Sequence, residues 1–98
     1  MNFDQFQTED RRLVLLRALE AAAQYRANAY LLRAYSDSVG HVVSEERLRT
    51  DLAWLAEQSL VTLEHKPVLV ATLTARGLDV ATGRAHQPGV KKPLPGDV

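Results

Sequence analysis

Residues 8 to 24, TEDRRLVLLRALEAAAQ, space their apolar side chains at a helical rather than an alternating period. Thr8 is a good N-cap, and Glu9 and Asp10 follow where the positive end of a helix favours acids. Leu15, Leu16, Leu19 and Ala23 form one stripe, with Leu13, Val14 and Ala18 off it. A helix apolar on two sides needs two partners. The core of the domain is one, and a second copy of the chain is expected as the other, reached through Leu13, Val14 and an N-terminal arm (residues 1–7) carrying Phe3 and Phe6. YRAN, residues 25 to 28, breaks the pattern and offers a very short strand. Asn28 then caps a second helix, with Leu31, Leu32, Tyr35 and Val39 expected on its apolar side and Gly40 at its C-terminal end. In the connector HVV, either Val42 or Val43 is placed to fill the gap between helices.

Ser44 caps a third helix, in which Leu48, Leu52 and Leu55 fall within one narrow arc. Opposite that arc lie Glu46, Thr50, Ala53 and Glu57, flanked by Arg47 and Trp54 on one side and Arg49 on the other. Ser59 stands where a helix-ending glycine is common. Residues 60 to 64 alternate apolar and polar, His65-Lys66-Pro67 is a tight turn, and VLVATLT resumes a strand pattern, which together predict a hairpin. Thr74 caps a short last helix with Leu78 and Ala81 facing inward and Gly83 near its end. Residues 85 to 98 hold three of the four prolines and two glycines, and are expected to be an extended, mobile tail.

Helix, helix, tight turn, helix, hairpin, short helix is an order that resembles the winged helix-turn-helix domains. The spacing from Ser44 through Leu48, Leu52, Leu55 and Leu60-Val61, followed by LTARG at 73 to 77, is similar to the MarR, PadR and ArsR-like branches. The resemblance covers residues 8 to 84. It implies a mainly α (α+β) fold, with a three-helix core, a β-hairpin wing and a short C-terminal helix. It also implies a homodimer that sets two recognition helices about one DNA turn, ~34 Å, apart. The chain as a whole, with RRLVLLRAL near its start and LTARGLDVATG near its end, is also similar to small proteins of Mu-like transposable phages and prophages.

If the third helix reads double-stranded DNA, Ser44, Glu46, Arg47, Arg49, Thr50, His65 and Lys66 are the expected contacts. Arg47 suits a guanine edge, Arg49 a phosphate, Thr50 a base or the backbone, and Glu46 a cytosine amino group. His65 and Lys66 at the wing tip would meet the adjacent backbone. The alternative is that Glu45, Glu46, Arg47, Arg49 and Asp51 only solvate a helix face, Glu45 and Arg49 being a favourable exposed pair. Trp54 is expected beneath the hairpin or at a subunit interface.

Charge narrows this picture. Twelve basic and twelve acidic residues give a formal net charge of zero, whereas a DNA-binding domain draws most of its affinity from phosphate neutralisation. The third helix also begins with Glu45 and Glu46, and the wing is short. Both features limit DNA affinity and leave open a second class of function: a winged helix that binds a protein partner in phage assembly or packaging. Without cysteine there is neither a disulfide nor a thiol nucleophile. His41, His65 and His86 lie far apart, no phosphate loop or nucleophile elbow is present, and no metal, cofactor or catalytic role is expected. The N-terminus lacks a secretory signal pattern and no stretch approaches membrane-spanning length, so a cytoplasmic protein without membrane partners is expected.

Overall fold

The computed structural model describes residues 2–96. Among them four α-helices and three strands form: α1 (Phe3–Ala21), β1 (Arg26–Asn28), α2 (Ala29–Ser38), α3 (Glu45–Glu57), β2 (Val61–Glu64), β3 (Val70–Leu73) and α4 (Ala75–Thr82). The strands make one antiparallel sheet in the order β1-β3-β2. Thr72 faces Arg26 on one side and Thr62 on the other, so β3 is the central strand. The Tyr-Arg-Ala-Asn segment thus supplies the short strand its sequence suggested.

Helix α1 begins earlier than Thr8. The Asn2 side chain accepts from Gln5 N at 2.8 Å and caps the helix there. The expected N-terminal arm is therefore the first turn and a half of α1. Leu13, expected at a dimer surface, is only 3% exposed within the monomer. The second partner of α1 comes from the same chain: α4 and the segment after it pack along it. Val14 is half-buried, while Phe3 and Phe6 remain exposed.

Residues 85–96 also differ from expectation, because they are strapped to α1. Val90 is buried in the core, Arg12 Nη1 donates to Gly89 O at 2.8 Å, and Lys91 N donates to Glu9 O at 3.1 Å. Trp54 packs here rather than under the hairpin, with the Arg12 guanidinium 3.8 Å from its ring centroid. Burial lowers the pKa of that guanidinium. Gly89 has φ +95°, and a Cβ there would stand 2.7 Å from Trp54 Cζ2. Glycine is needed at this point both for its backbone and for its missing side chain.

Asp10 ties the strap to the connector before α3. It accepts from Lys91 Nζ at 3.2 Å and pairs with His41 Nε2 at 2.7 Å. Burial pushes the Asp10 carboxyl up, but the hydrogen bonds and charge of His41 and Lys91 outweigh it and hold the pKa below the ordinary aspartate value. A depressed folded-state pKa contributes stability that is present above the unfolded pKa and lost as pH falls through the folded one. Asp10→Asn is therefore expected to lower stability at neutral pH. The gap from wild type should close as pH drops below the aspartate range. Urea titrations of both proteins at neutral and acid pH check this.

Helix α2 turns a different side inward than its sequence suggests. Asn28 caps it through Leu31 N at 2.8 Å, directly after β1, so its rotation is fixed by the pairing of β1 with β3. Ala29, Leu32 and Ser36 face the core; Leu31, Tyr35 and Val39 do not. Ser36 is tolerated inside because its hydroxyl donates to His41 O and its carbonyl accepts from His41 N. Between the two candidates, Val43 fills the inter-helix gap and Val42 is 77% exposed.

Candidate nucleic-acid interface

Three leucines fix α3. Leu48, Leu52 and Leu55 are fully buried, and Ser44 Oγ accepts from Arg47 N at 3.0 Å to start the helix. A fourth anchor is ionic: Asp51, expected among the solvated charges, is buried and receives Arg11 Nε and Nη2, the latter at 3.2 Å. This pair settles the rotation of α3 about its axis, because the carboxylate must point at α1.

With Asp51 and the leucines inward, Glu46, Arg47, Arg49, Thr50 and Ala53 are exposed. Arg49 Nε lies 3.8 Å from Glu45 Oε2, both half in solvent, a pair of small energetic weight. The Thr50 hydroxyl donates to Glu46 O at 3.0 Å and keeps its acceptor capacity. Arg47 borders a shallow depression shared with Asp4, Gln7 and Thr8 of α1. At the far end of the hairpin His65 and Lys66 are exposed, and Arg26 pairs with Glu64 at 3.3 Å across the sheet. The outward side of α3 carries two arginines against three glutamates, Glu45, Glu46 and Glu57. It is a polar surface of mixed sign rather than a basic one.

One surface was missed by sequence reasoning. Tyr30 and Leu31 are each 61% exposed, and Tyr35, Val39 and Val42 are exposed beside them. The signal that would have found it is the Ala29, Leu32, Ser36 spacing, which competes with the larger residues for the inward position. Among the described residues no three His, Asp or Glu side chains cluster to hold a metal ion, and no helix is long and apolar enough to cross a membrane.

Fold and surface together define a small α+β protein in which a sheet-backed helix presents a polar face. Its relatives include a phage protein and a bacterial one. The chain belongs to the family of an uncharacterised protein, gp26, of Escherichia phage Mu: the two are 51% identical over 89 residues, which is 90% of this chain and 92% of the phage protein. It is also 38% identical over 97 residues to an uncharacterised protein of Haemophilus influenzae, covering 97% of this chain and 94% of that one. No family model matches the chain. The resemblance to proteins of Mu-like phages holds at the level of this family.

Proposed function

We propose that this protein is a winged helix-turn-helix DNA-binding protein of a phage or prophage, acting on transcription in the host cytoplasm as a homodimer. The order helix, strand, two helices, hairpin, helix, with β3 between β1 and β2, is the order such a domain requires. The carrying observation is the position of Arg47, Arg49 and Thr50. They stand exposed on a helix whose opposite side is wholly buried. In this reading α3 enters the major groove, Arg47 meets a guanine edge, Arg49 a phosphate, and Thr50 a base or the backbone. Ser44, Glu46, His65 and Lys66 frame the contact from the helix cap and the hairpin tip. Glu45 and Glu46 weaken non-specific attraction, so binding should be modest and steeply salt-dependent.

The Arg47→Ala/Arg49→Ala double variant tests this. Its affinity for a short duplex, read by fluorescence anisotropy at low salt, should fall at least about tenfold, since a good bidentate base contact is worth ~1–3 kcal/mol. Its thermal midpoint should stay close to wild type, because both side chains are exposed. Undiminished affinity would contradict the docking.

A second reading, a protein-binding module of phage assembly or packaging, is favoured by the mixed charge of α3 and by the apolar side chains that α2 exposes. Capture of a phage structural protein, with no DNA binding at low salt, would decide for it.

A further inference from the structure

We propose that the exposed side of α2 is the interface between two copies of this chain, paired antiparallel about a twofold axis level with Tyr35. Successive residues of a helix are about 100° apart. With Ala29, Leu32 and Ser36 inward, the outward surface has two edges. Leu31, Tyr35 and Val39 form one. Arg33 and Asp37 form the other, and Tyr30, Ala34 and Ser38 lie between.

This arrangement is self-complementary. A twofold axis perpendicular to α2 at Tyr35 brings each edge against the same edge of the other copy with its direction reversed. Tyr35 then meets Tyr35, Leu31 meets Val39, and Arg33 meets Asp37, twice over. Each of Arg33 and Asp37 sits two residues, ~3 Å of helix rise, from the axis level, so the pairing is in register. Within one copy these charges are unspent. Arg33 donates through Nε to Val43 O at 3.0 Å, but its Nη groups hold no hydrogen bond among the described residues. The Asp37 carboxylate has no ion pair or hydrogen bond there, and the two residues form no pair with each other although one turn apart.

The apolar exposure suits a second copy. Tyr30, Leu31, Tyr35, Val39 and Val42 all stand exposed on or just after α2, and apolar side chains gathered on one element mark protein–protein contacts. Ala18, Ala21, Ala22, Leu31 and Tyr35 also line a shallow groove in which a neighbouring helix can approach closely. The α1 surface expected to dimerise is reduced, since Leu13 is in the core and Lys91 lies over Phe6 at 5.7 Å, although Phe3 and Phe6 stay exposed. The inference is independent of DNA binding, because it uses none of the exposed residues of α3.

Sedimentation equilibrium of the full chain tests it through charge reversal. Wild type should be a dimer, while Arg33→Asp and Asp37→Arg should each be monomeric, because like charges then face each other across both symmetric contacts. An equimolar mixture of these two variants should regain the dimer mass, and so should the double variant R33D/D37R. Regained dimer also shows that the single variants are folded. A wild type that is monomeric at ~100 µM would overturn the proposal, as would a dimer indifferent to both reversals. Single variants that stay monomeric when mixed would overturn it too.

Discussion

Asp51→Ala is expected to destabilise the protein by about 3–5 kcal/mol, the usual loss when one member of a buried ion pair is removed. The pair between α1 and α3 is sealed: the side chains of Arg11 and Asp51 are 7% and 2% exposed. Removing the carboxylate leaves a guanidinium with no water and no counter-charge. For a domain of 98 residues this is a large share of a total of ~5–15 kcal/mol. Urea unfolding should show the midpoint collapse with little change in slope. Replacing both residues, as in R11M/D51L, should recover most of the loss, because no stranded charge remains and apolar side chains occupy the space. If Asp51→Ala unfolds at the wild-type midpoint, the pair does not hold α3 in place.

Gly77→Ala is expected to be comparably severe. A Cβ on Gly77 would lie 2.0 Å from Leu60 O and 2.7 Å from Leu73 Cδ1. The first obstacle is backbone and cannot rotate aside. Leu60 O is also the acceptor for Thr74 N at 3.1 Å and for the Thr74 hydroxyl, whose oxygen caps α4 by accepting from Gly77 N. Pushing α4 away from the start of β2 breaks that junction. The cost should reach or exceed the top of the ~1–3 kcal/mol typical of overpacking. A thermal melt reads it directly. An unchanged midpoint would show that α4 can slide freely on the sheet.

Much of the fold was legible because local signals agreed with one another. Ser44, Asn28 and Thr74 each look like caps and each caps a helix. The leucine spacing of α3 and the alternation of β2 were equally plain, and the segment 25–28 that could supply a short third strand does so over Arg26–Asn28. What escaped was set by long-range partners. Asp51 reads as a surface acid until Arg11, forty residues earlier, is seen to reach it. The tail has the composition of a mobile segment, yet one buried valine and the hydrogen bonds of Arg12 to Gly89 O and of Lys91 N to Glu9 O hold it to α1. In α2 the larger apolar residues pointed to one side and the strand before it enforced another. The polar side of α3 was foreseen residue by residue, since its exposure follows from the leucines opposite. Its balance of charges was also visible, but not that Asp51 would be withdrawn from it.

The most direct test of the central claim, that the outward side of α3 meets DNA, is a salt titration of wild-type protein on a random duplex. At physiological salt the account predicts a dissociation constant in the range ~10⁻⁴–10⁻⁶ M, tighter at low salt, with affinity falling as salt rises along a log–log slope of about −2 to −4, the mark of a few neutralised phosphates. Absence of binding at the lowest salt, or binding that salt does not weaken, would contradict it.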